Sequence, residues 1–144
     1  LVLEYLIHVL ENKDFFYDQK RADEAIEWIE THGFHTEGKL APGPLLLELW
    51  EKAFIASLFG VVDKDGLRQF RECVLIIGRK NGKSLLAAAI AKYVWQIEGG
   101  FGAKVYNIAP KLDQADIIYN NIWQMTLIRH LIFPIFLSLD YIHL

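Results

Sequence analysis

The chain has 144 residues, of which 53% are hydrophobic and 23% charged, and a formal net charge of -3. Length and composition favour one domain with a sizeable core and exclude a disordered tail or a low-complexity segment. The small negative balance excludes a chain-wide basic field for gripping nucleic acid, so any DNA contact must be local or supplied elsewhere.

Residues 1–13 are apolar apart from charges such as Glu4 and the polar His8, and are expected to form a short helix. They carry neither the basic region nor the small-residue cleavage site of a signal peptide. The first residue is Leu rather than Met, which makes a piece of a longer protein the expectation. Nowhere does an uninterrupted apolar run reach about 18 residues, so no membrane span is predicted. Asp18 can cap a second helix, in which Ala22, Ala25, Ile26 and Ile29 recur at helical spacing, and Gly33 stands where a helix C-terminal glycine belongs. Residues 36–44 hold Gly38, Pro42, Gly43 and Pro44 and read as a loop. Residues 45–60 read as a third helix with Leu46, Trp50, Phe54 and Leu58 on its apolar face. Asp63-Lys64-Asp65-Gly66 is a turn, and no internal repeat is present.

Residues 71–77 contain the continuous apolar run Cys73-Val74-Leu75-Ile76-Ile77, which suits a strand of a parallel sheet buried on both faces. Cys73 is the only cysteine, so no internal disulfide is possible, and it is expected as a small core residue rather than a nucleophile. Residues 78–82 break the run. Residues 83–98 then read as a helix with a stripe of Leu86, Ile90, Val94 and Ile97, ended by Gly99-Gly100. Residues 103–108 are a second short strand, followed by a helix from about Pro110 with Ala115, Ile118, Tyr119, Ile122 and Met125 on one face. Strand, loop, helix, strand, helix is the alternation of an α/β fold, here a partial parallel sheet of the P-loop type behind an N-terminal helical lead-in.

The segment Gly78-Arg79-Lys80-Asn81-Gly82-Lys83-Ser84 sits at that first strand-to-helix junction. A helix N-terminus leaves N–H groups without intrahelical partners, and the aligned peptide dipoles favour an anion there. Gly82 allows close backbone approach to phosphates, Lys83 can place its ammonium on the β- and γ-phosphates, and the Ser84 hydroxyl suits Mg²⁺. The motif is a variant, because Ile77 occupies the position five before Gly82 where the first glycine usually stands, and Gly78 comes one residue later. Arg79 and Lys80 are either solvated charges or, for Arg79, a guanidinium that senses or stabilises the γ-phosphate.

This P-loop resembles that of bacteriophage large terminases, the ATPases that package DNA into capsids. Two more stretches match in order. Upstream, Leu47-Glu48-Leu49-Trp50-Glu51-Lys52-Ala53-Phe54 resembles the family's adenine-side helix, and Arg68-Gln69-Phe70-Arg71-Glu72 resembles the approach to its first strand. Downstream, Ala103-Lys104-Val105-Tyr106-Asn107-Ile108-Ala109-Pro110 looks like its second strand and the start of the next helix. The likeness covers residues 21–123. It implies ATP and Mg²⁺ as ligands, with Gly78, Arg79, Lys80, Asn81, Gly82, Lys83 and Ser84 on the nucleotide, Lys83 and Arg79 as catalytic groups, and Ser84 on the metal. It also implies Trp50 and Glu51 near adenine. The family's usual Pro-Trp-Gln is here Leu49-Trp50-Glu51, and an ionised Glu51 can only accept hydrogen bonds where glutamine both donates and accepts. Trp50 is expected either to stack on the base or to sit in the core.

The resemblance further implies double-stranded viral DNA, a terminase small subunit and a portal as partners, a homo-oligomeric ring, a location in the host cytoplasm and no membrane. Residues 1–67 are then a helical lead-in and residues 68–130 the start of the ATPase domain. Residues 131–144 are an apolar tail, Leu131-Ile132-Phe133-Pro134-Ile135-Phe136-Leu137, expected as a buried strand or as a foreign tail from a shifted frame. No apolar strand ending in Asp-Glu follows the P-loop, so this chain by itself is expected not to turn over ATP efficiently. The competing readings are a truncated module that binds nucleotide without hydrolysis, such as a prophage remnant, and another P-loop ATPase of helicase-like kind. His32 and His35 read as solvated rather than as zinc ligands, Asp113 and Asp116 as the polar face of the last helix, and Arg68 and Arg71 as DNA contacts or surface charges.

Overall fold

The structure is a computed structural model that describes residue 11 and residues 14–140. The helix expected over residues 1–13 therefore lies outside the described residues but for residue 11, which is helical. The elements in order are β1 (Phe15–Tyr17), α1 (Gln19–His32), a 3-10 turn (Gly38–Leu40), α2 (Leu49–Gly60), β2 (Val61–Asp63), α3 (Lys83–Tyr93), a π-helical turn (Val94–Glu98) and α4 (Leu112–Asp140). The chain divides into two compact units. One holds Leu46–Ile77 and the described residues before Ile29, and the other holds Ile29–Leu45 and the described residues from Gly78 onward.

In the first unit, Asp18 caps α1 as expected, its Oδ1 accepting from the Arg21 N–H at 3.1 Å. Ala22 and Ala25 are fully buried along that helix. α2 begins later than its apolar pattern suggests, because Glu48 and Glu51 form a capping box in which the Glu51 carboxylate accepts from the Glu48 N–H at 2.8 Å. Its buried face is Ile55, Leu58 and Phe59, while Leu46 and Trp50 are exposed. Trp50 is thus not a core residue. The helix is apolar nearly all round, so periodicity could not select its inner face.

α2 runs directly into β2, which pairs antiparallel with β1 in the register Phe15↔Asp63, Phe16↔Val62, Tyr17↔Val61. Neither strand was expected, since three-residue strands are too short to show alternation. The turn after β2 forms as read: Asp63 Oδ1 accepts from the N–H groups of Asp65 and Leu67, both at 2.9 Å, and Gly66 takes a positive φ of 76°. The Arg21 guanidinium donates to the Gly66 carbonyl. Arg68, left open between DNA contact and surface charge, stands over the Phe59 ring at 5.2 Å from its centroid.

Gly60 ends α2 where chains cross closely. A Cβ there would stand 2.7 Å from the Tyr17 ring and 2.9 Å from the Ala22 Cβ, and its carbonyl accepts from the Asp18 N–H at 2.7 Å. Gly60→Ala is therefore expected to destabilise the chain by about 1–2 kcal/mol, read as a lower urea midpoint at unchanged slope.

The fold is a mixture of helices and strands, and the expected parallel sheet is not what the described residues form. Their ladder is the two-stranded antiparallel pair β1–β2. Residues 71–77 and 103–108, expected as buried parallel strands, are assigned to neither helix nor strand, and Val74, Ile76, Tyr106 and Ile108 are 83%, 89%, 76% and 94% exposed. Cys73 is likewise exposed rather than in the core. A parallel strand has its hydrogen-bond partners on neighbouring strands distant in sequence, so an apolar run cannot form a ladder alone.

In the second unit, Gly33 closes the end of α1, its N–H donating to the Ile29 carbonyl at 2.7 Å. α3 buries Leu86, Ala88, Ala89, Lys92 and Tyr93, whereas Ile97 of the expected stripe is half exposed. Lys92, only 1% exposed, donates from Nζ to the His32 carbonyl at 3.0 Å and so caps the last turn of α1. Burial lowers its pKa from 10.5 to about 8. α4 buries Met125 fully, while Tyr119, expected on the same face, is 58% exposed. Residues 131–140 continue the α4 backbone, so the strand expected there does not form, and residues 141–144 lie outside the described ones.

Candidate functional site

The junction between residues 77 and 83 turns on two left-handed residues. Lys80 has φ 68° and Gly82, the N-cap of α3, has φ 67° and ψ 7°. Glycine adopts that region without steric cost, and a lysine there costs about 1 kcal/mol, which places mild strain in this loop. Left-handed residues in a tight turn can aim neighbouring N–H groups toward one point, the geometry on which anion-binding concavities are built. A Cβ added to Gly82 would meet nothing within 4 Å, so the space beside it is open.

α3 begins at Lys83, and its first intrahelical donor is Leu86, whose N–H reaches the Gly82 carbonyl at 2.9 Å. The N–H groups of Lys83, Ser84 and Leu85 therefore precede the hydrogen-bonded ladder and carry the positive end of the helix dipole. Lys83 is exposed at the helix start, and Ser84 is half buried.

These groups open on a cleft of about 300 Å³. Lys80, Gly82, Lys83 and Ser84 line it from the P-loop side. Gly78, Arg79 and Asn81 belong to the same turn without lining the cleft, and Asn81 Nδ2 lies 3.2 Å from where a Gly78 Cβ would be. The two remaining expected residues, Trp50 and Glu51, belong to the first unit. Trp50 is 41% exposed, whereas Glu51 is 7% exposed with its carboxylate committed to capping α2.

Sequence reasoning missed the other wall. His35, Thr36 and Glu37, from the segment between α1 and α2, line the cleft, as does Asn121 of α4. The Thr36 hydroxyl donates to Asn121 Oδ1, and Asn121 Nδ2 donates to the Ile117 carbonyl at 2.8 Å. The signal for Thr36 was weak, since a polar residue in a Gly/Pro-rich stretch reads simply as loop.

Chemically, the P-loop wall of the cleft offers helix-terminal N–H groups, two ammonium groups and a hydroxyl, a set suited to phosphate oxygens, while the other wall carries the Glu37 carboxylate. Among the described residues no group of three or more His, Cys, Asp or Glu side chains could hold a metal ion. A donor set of one serine hydroxyl suits Mg²⁺ that arrives with phosphates, because that ion keeps waters and phosphate oxygens in its octahedron and needs few protein ligands. No helix among the described residues is long and apolar enough to cross a membrane.

No curated protein and no solved structure matches the chain. A family's sequence model does match, over residues 49–133, more than half of the chain and the whole of the P-loop and α3. That family is described as the terminase large subunit, ATPase domain. The match takes in Lys80, Gly82, Lys83 and Ser84 of the cleft, and the chain belongs to the terminase large subunit ATPase domain family.

Proposed function

We propose that this chain is the nucleotide-gripping part of a phage large-terminase motor, which couples ATP hydrolysis to the packaging of double-stranded viral DNA into procapsids. The observation that carries this reading is the convergence of Lys80, Gly82, Lys83 and Ser84 on one cleft at the N-terminus of α3, within the matched region. In this reading the N–H groups of residues 83–85 hold the β-phosphate, and the Lys83 ammonium bridges the β- and γ-phosphates. The Ser84 hydroxyl supplies one ligand to the Mg²⁺ that accompanies ATP. Magnesium bound there would offset phosphate charge, and the protein's part would be to orient the phosphates and supply the Ser84 hydroxyl.

Arg79, exposed and outside the cleft, reaches the γ-phosphate when the turn closes on the nucleotide, where its planar guanidinium supports the charge on the transferring phosphoryl group. Trp50, exposed, is kept as a candidate for adenine on the family resemblance alone, while Glu51 serves α2 as a cap and is not assigned to the base. Residues 71–77 and 103–108 become strands of the parallel sheet when neighbouring strands pair with them, which would cover Val74, Ile76 and Ile108. DNA, the small subunit, the portal and a ring of like subunits are the partners this function requires.

The direct test is titration of the intact protein with a fluorescent ATP analogue in the presence of Mg²⁺, with unlabelled ATP as competitor. Saturable binding displaced by ATP and weakened by removing Mg²⁺ is expected. Absence of binding at millimolar nucleotide would reject the assignment.

A further inference from the structure

The loop that walls the cleft is fixed at its base. Leu45 N–H donates to the Gly33 carbonyl at 3.0 Å, His35 N–H to the Gly43 carbonyl at 2.9 Å, and Phe34 bridges Pro44. Below it, Lys92 of α3 holds the His32 carbonyl at 3.0 Å. Residues 35–37, where the loop leaves this stem, line the cleft and meet α4 through the Thr36–Asn121 hydrogen bond, a partly buried contact between residues 85 apart in sequence.

Thr36 and Asn121 look at first like two more polar groups for a phosphate. Their proton inventory argues otherwise. A threonine hydroxyl has one proton, and Thr36 gives it to Asn121 Oδ1, which leaves Thr36 with lone pairs only. Asn121 in turn gives an amide proton to the Ile117 carbonyl of its own helix at 2.8 Å, which fixes the carboxamide with its oxygen toward Thr36. Phosphate oxygens accept and do not donate, so a hydroxyl already engaged as a donor is a poor phosphate ligand. The pair instead ties the loop to α4.

We infer that Thr36 and Asn121 are positioning residues that latch the 35–37 wall to α4 and keep the nucleotide cleft shaped beside Lys83 and Ser84. This inference rests on the nucleotide-binding reading of that cleft. An ordered wall removes the cost of ordering the loop at each binding event, and that cost reappears as lost affinity when the latch is cut. The latch also links α4 to the cleft, so nucleotide that fills the cleft tightens the attachment of the loop to that helix.

The test measures the affinity of the intact protein for a fluorescent ATP analogue with Mg²⁺, alongside its melting midpoint without nucleotide. Thr36→Val keeps the shape and removes the hydroxyl, and Asn121→Ala removes the acceptor. Each is expected to weaken binding about 10-fold, and the double variant to be no weaker than either single one, since both cut the same bond. Thr36→Ser, which keeps the hydroxyl, is expected to bind within about 2-fold of the unaltered protein. A purely structural role would lower the melting midpoint and leave the affinity of the folded protein unchanged. Unchanged affinity in folded Thr36→Val, or losses that add in the double variant, would overturn the latch. If Thr36→Val does not fold, Asn121→Ala decides alone, and unchanged affinity in it overturns the proposal. Lys83→Ala run in parallel separates the two levels. Loss of binding in Lys83→Ala with unchanged affinity in Thr36→Val removes the latch only, whereas an unaltered protein that binds no nucleotide removes both readings.

Discussion

Lys83→Ala is expected to lower MgATP binding and hydrolysis by the intact protein at least ~100-fold while leaving its melting midpoint where it was. The two halves of that expectation have separate causes. Lys83 is exposed at the first position of α3, so no packing is lost on truncation, and alanine is the better helix former. The ammonium, by contrast, faces a cleft it shares with Lys80, the Ser84 hydroxyl and backbone N–H groups fixed by the left-handed Gly82 and the start of the helix. Charge that develops on the phosphoryl oxygens is left without its closest counter-charge, and effects of that kind run to about 2–4 kcal/mol. Lys83→Arg should not restore activity, because a planar, bulkier guanidinium cannot occupy the place of a compact ammonium. ATPase assays of the three proteins, with circular dichroism melts, check both halves. Retained hydrolysis in Lys83→Ala would take the lysine out of its proposed role.

The largest stability effect is expected from pH, through Lys92. Its pKa in the fold is about 8, below the 10.5 of an unburied lysine, and burial is the cause. Below pH 8 both folded and unfolded chains carry the proton, and the folded state bears the full cost of a buried charge. Between pH 8 and 10.5 the folded chain has released the proton while the unfolded chain still binds it, so stability rises with pH. The whole gain is bounded by about 3 kcal/mol, reached only at the top of the window. Tyr17 works in the opposite direction above pH 10. Burial first, and the Asp23 charge second, raise its pKa, and the stability that its protonated form supplies is lost as pH climbs through that raised value. The readable window is therefore about pH 8 to 9.5. Urea unfolding across it should show rising midpoints in the native sequence and a flat profile in Lys92→Met. At pH 7 that variant should lie within about 1–2 kcal/mol of the native chain, since the relief of a buried charge offsets the about 1.5–3 kcal/mol lost with the charged hydrogen bond to the His32 carbonyl. A falling or flat native profile would mean that Lys92 is hydrated in solution.

Much of the candidate site was legible in advance. Gly82, Lys83 and Ser84 stand at a helix start as the motif demands, and Asp18, Gly33 and the turn at Gly66 do what their residue types specify. The buried faces of the helices were less legible. α2 is apolar nearly all round, so which row faced inward depended on what packed against it, and Ile55 and Phe59 rather than Trp50 were chosen. α3 buries a lysine on a face turned well away from the expected stripe, beside Ala88 and Ala89, because a long aliphatic stem can follow an apolar surface to a distant carbonyl.

The sequence by itself determined the features that depend on a few consecutive residues: helix caps, glycine turns, and the start of α3 behind Gly82. Those are settled by local sterics and by hydrogen bonds to near neighbours, which residue type encodes directly. Only the tertiary structure decided that Thr36 meets Asn121 across 85 residues, that Lys92 meets His32 across 60, and that β2 pairs with β1. Contacts of that kind are selected by the closure of long loops and by whatever surface each element finds to pack against, and periodicity in one segment carries no record of its partner.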